Sequence, residues 1–143
     1  MSGREDPKPS PIECYLIVDD AEAAIAFYRR AFGATEIARR AAPDGRRLLH
    51  CALALFGGRI MLADEFPELI SDTVAPKRVG GTSVTMNVNL ATPAAVDATL
   101  AQAEAAGAAI TTPATDAPWG TRYARLIDPF GHAWALQAPL PED

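Results

Sequence analysis

The sequence has no long hydrophobic run and only small numbers of cysteine, histidine and basic residues. Its 143 residues include two Cys and two His, and 13 Lys and Arg stand against 18 Asp and Glu, for a formal net charge of −5. This balance gives no basic footprint, which argues against nucleic acid or an anionic membrane as a partner. No apolar stretch reaches the roughly 20 residues that span a membrane. The first eleven residues also lack the apolar core of a signal peptide, so we expect a cytoplasmic protein.

Two cysteines are too few for a disulfide framework or a cysteine-rich zinc site. Cys14 and Cys51 both lie in apolar, strand-like runs, which predicts buried free thiols. The sequence also has no nucleophile elbow, no Gly-rich phosphate loop and no dinucleotide fingerprint. These absences leave no activated nucleophile and no nucleotide site to be read from motifs.

The sequence does contain one pattern that occurs in both halves, namely a helix, a glycine stop and a set of turn residues. An amphipathic helix is predicted over 21–34 with a stop at Gly33, and another over 94–108 with a stop at Gly107. Turn residues follow each stop at matching distances, namely Pro43, Gly45 and Gly58 in the first half and Pro118, Gly120 and Gly131 in the second. Two copies are too few for a solenoid. We therefore expect one domain of two paired modules, with a pocket between them.

Each copy predicts the order β-α-β-β-β, in an α+β fold. Module one is predicted over 12–63, with strands at 12–18, 35–41, 46–56 and 59–63. Module two is predicted over 82–138, with strands at 82–90, 109–112, 121–127 and 133–138. A flexible N-terminal lead (1–11), a connector (64–81) with one helical turn at 67–70, and a tail (139–143) complete the domain. The connector is either a plain linker or a flap over the pocket.

Three segments carry a resemblance to a known family: YLIVD (15–19) with AIAFYRRAFGA (24–34), GGRIMLADE (57–65), and WGTRYARLIDPFGHAW (119–134). They resemble the PhnB-like branch of the vicinal oxygen chelate superfamily, which includes glyoxalase I, the bleomycin-resistance proteins and extradiol dioxygenases. The resemblance implies a glyoxalase-like cup, in which the mixed sheets of both modules curve around a pocket and the helices cover the outer face. It also implies a homodimer, because in relatives the cups are commonly completed by or packed against a second chain.

Metal-dependent members of that superfamily hold an ion with one ligand near the first strand and one on the last strand of each module. The resemblance places these positions at Glu13, Met61, Ser83 or Thr85, and Ala135. A zinc, nickel or iron ion needs three or four N, O or S donors of suitable hardness. Methionine and alanine do not meet that need, so we expect no metal and no other cofactor.

An alternative is a rearranged site in which Glu13, His50 and Glu65 hold Zn, Ni or Fe. The protein would then be a divergent lyase or isomerase of the glyoxalase kind. Without a metal, Glu13, with its pKa raised in a dry cup, is the candidate general base. His132 follows a turn and is expected to face solvent.

The leading hypothesis is a metal-free cup that binds a small, partly planar organic molecule, such as an antibiotic or a metabolite. The strand at 82–90 alternates strictly, so that Thr85 and Asn87 are expected to present a polar face to the cup. Trp119 with Tyr123 resembles in kind the aromatic grip of the bleomycin-resistance branch. The alternative is that Trp119 only attaches its loop to the sheet.

Two arginines, Arg122 and Arg125, lie in the strand at 121–127, and either is a candidate partner for a ligand carboxylate or phosphate. A surface or interchain salt bridge is the more common role for such an arginine. Arg122 is placed in the site with Tyr123, and Arg125 is the other choice. Trp134 is expected in the core. The predicted ligand-binding set is Glu13, Tyr15, His50, Met61, Thr85, Asn87, Trp119, Arg122 and Tyr123.

Overall fold

A computed structural model describes residues 5–142 of the chain, and the structural statements below concern those residues. Module one contains β1 (Tyr15–Val18), α1 (Ala21–Phe32), β2 (Thr35–Ala41), β3 (Leu48–Leu55) and β4 (Gly58–Asp64). The short helix α2 (Pro76–Val79) lies in the connector. Module two contains β5 (Thr85–Asn89), α3 (Pro93–Ala106), β6 (Ala109–Asp116), β7 (Thr121–Ile127) and β8 (Ala133–Pro139).

Both long helices stop at the glycines that the sequence predicts, Gly33 and Gly107. The Asp20 side chain accepts a hydrogen bond from the Ala23 N–H at the start of α1, and Thr92 does the same for α3, which has Pro93 at its first position. Gly33 ends α1 with a φ of 68°, a left-handed conformation that glycine adopts without strain. None of the helices in the described part of the chain is long and apolar enough to cross a membrane.

The strands form two four-stranded mixed sheets of the same topology. Sheet one has the order β1-β4-β3-β2 and sheet two the order β5-β8-β7-β6. In each sheet the first strand of the module pairs in parallel with the last, and the other neighbours pair antiparallel. The α+β class and the duplicated β-α-β-β-β order are thus confirmed. Neither sheet is a closed barrel, so β1, β2, β5 and β6 are edge strands.

The hydrophobic core lies on the helix side of the sheets. Helices α1 and α3 contact each other, and each also packs on strands of its own module. A single buried cluster draws on both modules and contains Phe27, Tyr28 and Trp134, the last with 2% of its surface exposed. The core position expected for Trp134 is therefore confirmed. The opposite faces of the two sheets, called here the open faces, carry Tyr15, His50 and Met61 in sheet one and Thr85, Asn87 and Tyr123 in sheet two.

One buried carboxylate attaches module two to module one. Asp128 accepts hydrogen bonds from the Phe130 N–H, the His132 N–H and the Trp134 Nε1–H at 2.9–3.0 Å, and from the Tyr28 hydroxyl of α1. Burial, and then the adjacent Asp128, raise the pKa of Tyr28 well above its usual range. The hydroxyl therefore stays protonated and keeps its role as donor.

The expectation that His132 faces solvent is wrong. Its side chain is buried, and its Nε2 lies 2.9 Å from the carbonyl oxygen of Ile17 in β1. The turn at Asp128 folds the histidine back toward module one, where the edge strand β1 leaves a carbonyl free to accept. The sequence predicts the turn at Asp128, but it does not predict that His132 will contact β1.

Three further expectations are corrected by the structure. Strand β6 extends to Asp116 because it pairs with β7 as far as Arg122. Strand β5 begins only at Thr85, so Val84 is exposed instead of sharing the buried face of Met86. Cys14 is exposed because it lies just before the edge strand β1, while Cys51 is buried as expected.

Candidate functional site

The open face of sheet one brings together three of the predicted ligand-binding residues. Tyr15 and Met61 are register partners on β1 and β4. The Tyr15 hydroxyl lies 2.9 Å from His50 Nδ1 on β3, and the two rings are 5.6 Å apart. Burial raises the pKa of Tyr15, as does Cys51 to a smaller extent. The phenol is thus a neutral hydrogen-bonding group on an otherwise largely apolar surface.

Glu13 lies on the same open face, two residues before β1 begins, and it forms an ion pair with an arginine. Its Oε2 is 2.9 Å from Nε of Arg59, and the two side chains have only 9% and 15% of their surfaces exposed. The Glu13 carboxylate also accepts a hydrogen bond from the Ser10 N–H. Because Glu13 is ion-paired, it is a poor general base unless Arg59 moves.

The open face of sheet two carries a chain of contacts that ends in an exposed tryptophan. Arg125 donates hydrogen bonds from its two Nη atoms to the Thr85 hydroxyl at 2.7 Å and to the Tyr123 hydroxyl at 3.0 Å. The Tyr123 ring lies edge-on to Trp119, with 5.2 Å between ring centres. Trp119 itself is 62% exposed. It therefore makes one aromatic contact and leaves most of its ring surface open.

A network of amides continues this polar face along β5 and β8. The Gln137 amide donates to the side-chain oxygens of Asn87 and Asn89 at 3.1 and 3.3 Å, and the Asn87 amide donates to Asn89 at 3.0 Å. These bonds fix the side chains, so the face is ordered before any ligand arrives. Sequence alternation predicted Asn87. It gave no indication of Gln137, because the sequence does not show which strand lies beside β5.

The placement of Arg122 beside Tyr123 in the site is corrected. Adjacent residues of a strand point to opposite faces, and Arg122 lies on the face away from Tyr123. There it pairs with Asp97 of α3 at 3.0 Å and with Asp116 of β6 at 3.1 Å. Arg125, the other choice, is the arginine that shares the open face with Tyr123.

Strand register settles which residue of module two corresponds to Glu13. Met61 pairs with Tyr15, and Ala135 pairs with Asn87. Glu13 and Thr85 each stand two residues before those partners, so Thr85, and not Ser83, matches Glu13. The four positions that hold metal in metal-dependent relatives thus contain one carboxylate, one thioether, one hydroxyl and one methyl group, a donor set that does not fit zinc, nickel or iron.

The alternative metal set of Glu13, His50 and Glu65 is also not assembled. Glu65 binds Arg78 through both carboxylate oxygens at 2.8 Å and accepts the Ala75 N–H at 3.0 Å. Across the described residues no group of three or more His, Cys, Asp or Glu side chains is arranged to hold an ion. The hydrogen bonds of Glu65 instead join two parts of the connector, residue 65 with residues 75 and 78.

The connector lies over one end of both open faces and forms a trough with them. A cavity of about 420 Å³ lies between the connector and Tyr15 and Ile17 of sheet one. A second, of about 440 Å³, shares Tyr15 and Ile17 and extends to Val84. A third, of about 640 Å³, shares Val84 and reaches Thr85 and Arg125 on sheet two. Of the predicted residues, Tyr15 on sheet one and Thr85 on sheet two thus line neighbouring cavities beneath the connector.

A fourth cavity, of about 390 Å³, lies where β4 approaches β5. Arg59 lines it from sheet one, and Thr85, Asn87 and Asn89 line it from sheet two. Arg59 was absent from the predicted set. Alternation did carry a signal for it, since Arg59 stands two residues before Met61 and so shares its face.

Comparison with known proteins matches this architecture. The model of the Glyoxalase/Bleomycin resistance protein/Dioxygenase superfamily matches residues 11–136. An uncharacterized protein of Mycobacterium bovis is 42% identical over 143 residues, which cover 99% of this chain and 90% of that protein. An uncharacterized protein of Mycobacterium tuberculosis is also 42% identical, over 99% of this chain and 80% of its own length.

Solved structures show the same fold. TioX from Micromonospora sp. ML1 has a TM-score of 0.71 and 27% identity, covering 92% of this chain and 100% of that one. A glyoxalase/bleomycin resistance protein/dioxygenase family enzyme from Burkholderia phytofirmans PsJN has a TM-score of 0.68 and 24% identity, covering 90% of this chain and 97% of that one. The PhnB protein of Bacillus cereus has a TM-score of 0.68 and 20% identity, covering 90% of this chain and 99% of that one. The glyoxalase-like fold and the PhnB-like resemblance are therefore confirmed.

Proposed function

Because the chain belongs to the Glyoxalase/Bleomycin resistance protein/Dioxygenase superfamily, we propose that it binds a small, partly planar organic molecule on the open faces of its sheets, without a metal ion. An antibiotic or a metabolite is the class of ligand that fits this proposal. The superfamily hosts several chemistries on one fold, so the argument depends on the site and not on the fold.

The observation that carries the proposal is the exposed ring of Trp119. An indole buries a large flat surface when it meets a partner and is costly to leave in water. Here 62% of Trp119 is exposed, and Tyr123 contacts it edge-on with an angle of 81° between the rings. At this angle Tyr123 covers at most one face of the indole, so at least one face stays available for stacking on a planar ligand.

Polar groups beside this aromatic pair would orient the ligand. Arg125 and Thr85 lie between Trp119 and the trough, and Asn87 follows on the same strand face. An arginine offers paired donors to a carboxylate or carbonyl oxygen, and an amide offers both a donor and an acceptor. One planar apolar contact with a few fixed polar groups is the usual composition of a small-molecule site.

A metal would add little to such a site, because the donor set at the family's ligand positions does not fit one. Glu13 is the only carboxylate of the four positions, and it is occupied by Arg59. We therefore propose recognition through stacking and hydrogen bonds. The metal-dependent lyase or isomerase stays the alternative, and elemental analysis with calorimetric titration of Zn²⁺ and Ni²⁺ separates the two. Stoichiometric, tightly bound metal would contradict the metal-free proposal.

Tryptophan fluorescence tests the binding proposal directly. Trp134 is buried, so quenching by added planar compounds reports mainly on Trp119. We expect a panel of fused-ring compounds to contain binders that quench the emission, and Trp119→Ala to weaken their binding about tenfold, measured by calorimetry. Trp119→Phe is the matched control, because it keeps a ring for stacking. Equal affinities for the original protein and Trp119→Ala would mean that Trp119 only attaches its loop.

A further inference from the structure

Four arginines of the described chain are partly buried, and one of them has no counter-ion. Arg47, Arg59 and Arg122 each have a carboxylate oxygen at 3.0 Å or less. The fourth, Arg125 of β7, takes part in none of the ion pairs formed among residues 5–142. A charge that is partly withdrawn from water is normally paired. Arg125 therefore carries a positive charge that the protein itself does not balance.

The hydrogen bonds of Arg125 are made to neutral groups. Its two Nη atoms donate to the hydroxyls of Thr85 at 2.7 Å and of Tyr123 at 3.0 Å. A guanidinium has five N–H donors, so these two bonds fix its orientation and leave donors for another acceptor. Hydroxyl oxygens do not neutralise the guanidinium, whereas a carboxylate or a phosphate would.

The cavity that Arg125 lines contains positive charge and no carboxylate. Its volume is about 640 Å³, and Lys77 of α2 is the second cation in its wall. None of its lining residues is Asp or Glu, although the whole chain has a formal net charge of −5. The hydroxyl side chains of Thr82, Ser83 and Thr85 also line it. Two cations with several hydroxyls and no carboxylate attract an anion and can hydrogen-bond its oxygens.

Lys77 contributes less to this attraction than Arg125 does. The Lys77 Nζ lies 3.4 Å from the carboxylate of Asp19, and its side chain is 54% exposed. Both the carboxylate and the solvent screen its charge. Arg125 is less exposed and has no carboxylate beside it, so we assign it the larger share of the attraction.

We propose that this cavity binds an acidic group of the ligand, a carboxylate or a phosphate, and that Arg125 selects an anion over a neutral molecule. The proposal rests on the proposed function and narrows the ligand to planar molecules that carry an acid. Tyr123 contacts both Arg125 and Trp119, which places the acid and the ring of one ligand side by side. Guanidinium suits either acid because its planar donors match two oxygens at once.

Three probes share one ring system and differ in the group that it carries, namely naphthalene-2-carboxylate, 2-naphthyl phosphate and the neutral naphthalene-2-carboxamide. Calorimetry measures the affinity of each at low and at high salt. We expect one of the acids to bind about tenfold more tightly than the amide, and its affinity to fall with added salt while that of the amide stays constant. The tighter acid identifies the anionic group. Equal affinities for all three compounds would overturn the proposal.

Arg125→Gln tests the arginine itself, because glutamine keeps a donor for Thr85 or Tyr123 and removes the charge. It should weaken binding of the tighter acid by about tenfold and leave binding of the carboxamide nearly unchanged. Arg125→Lys should bind the acid with intermediate affinity, since it keeps the charge without the planar pair of donors. If Arg125 only positions its two neighbours, Arg125→Gln will weaken the acid and the amide alike, and that result contradicts the selection of an anion.

Control variants exclude a general effect of charge and a contact with a second chain. Arg46→Met removes an arginine that is 77% exposed and should leave all affinities unchanged, and circular dichroism checks that each variant is folded. Light scattering compares the mass of Arg125→Gln with that of the original protein, and we expect no difference. A lower mass for the variant would mean that a carboxylate of a second copy is the partner of Arg125, which would also overturn the proposal.

Anions without a ring separate this proposal from the binding proposal itself. Inorganic phosphate and acetate are added while NMR follows the ¹⁵N–¹H signal of Arg125 Nε, with sodium chloride at equal ionic strength as the reference. A signal that moves with an anion, with no quenching of Trp119 by any naphthalene compound, keeps the anion site and refutes the role of Trp119. Quenching by the carboxamide with an Arg125 signal that none of the acids moves refutes only the role of Arg125.

Discussion

The side chain of Asp128 accepts hydrogen bonds from both modules and so helps to hold them together. Its two oxygens accept four hydrogen bonds, from two backbone N–H groups of its own turn, from Trp134 and from Tyr28. Only the turn is visible in the sequence, as Asp-Pro-Phe-Gly. The bond to Tyr28 joins two residues that are 100 positions apart in the chain, and it makes a local turn residue part of the junction between the modules.

Asp128→Ala is expected to lower the free energy of unfolding by roughly 3 kcal/mol or more, because several buried donors lose their acceptor at once. Tyr28→Phe removes one of the four bonds and should cost roughly 1.5 kcal/mol. Urea unfolding followed by circular dichroism measures both. The double variant should lose less than the sum, since the Tyr28 bond is already absent in Asp128→Ala. Strict additivity would show that the two side chains do not interact.

At the same scale, residue types and alternation predicted much of the candidate site. Tyr15, His50 and Met61 do share an open face, as do Thr85, Asn87 and Tyr123. Arg122 lies on the other face because its neighbour Tyr123 points into the site. Alternation along the strand already puts Arg122 and Tyr123 on opposite faces, whereas which of those faces is the open one follows from the packing of the sheet on the helices.

Among the elements, the connector differs most from its sequence-based description. It contains the short helix α2, and its Pro76 packs against the turn at Gly131. Gly131 has a φ of 92°, and a Cβ there would come within 2.7 Å of the Pro76 Cβ. The connector therefore docks on module two while it also lines cavities on module one. A role as a wall of the pocket follows from these contacts, in addition to its role as a link.

Glu65 ties the two ends of the connector together, and this predicts a pH dependence. Hydrogen bonds from Arg78, and then from the Ala75 N–H, lower the pKa of Glu65 from 4.5 to about 2. A carboxyl whose pKa is lower in the folded state stabilises that state above its unfolded pKa. Its contribution is therefore present above about pH 4.5 and is lost as the pH falls toward 2. Because Arg78 is mostly exposed, solvent screens the pair and we expect about 1 kcal/mol.

Glu65→Gln should accelerate amide hydrogen exchange at Ala75, measured by NMR, and should flatten the fall in stability between pH 4.5 and 2. The matched control is Glu104→Gln, which changes the same charge on the exposed surface of α3. Equal exchange at Ala75 in both variants would show that Glu65 does not hold the connector.

For the whole molecule, the structure pairs the two modules within one chain. One buried cluster spans both, and the His132 contact to Ile17 and the Tyr28 bond to Asp128 cross between them. The exposed surface still carries large apolar side chains, among them Leu69, Ile70, Val79 and Val84. Apolar residues gathered near the edge strands β1 and β5 are typical of a surface that another chain covers.

We therefore expect a homodimer, with a mass close to twice 15.1 kDa by light scattering on a size-exclusion column. The reason is the burial of this apolar surface, and not the completion of the core, which each chain already has. Val79→Lys, at an exposed position of α2, should shift the equilibrium toward monomer without loss of secondary structure. A mass of 15.1 kDa for the original protein at high concentration would contradict the prediction.

The sequence by itself determined the duplicated module, the α+β class and both helices with the glycines that end them. These depend on periodicity, turn chemistry and residue type, which are local properties of the chain. Only the tertiary structure decided that His132 is buried, which face of β7 is the open one, and that Arg59 of β4 pairs with Glu13. Each of those outcomes depends on which strand lies beside which, and that pairing is set by packing over long distances in the chain.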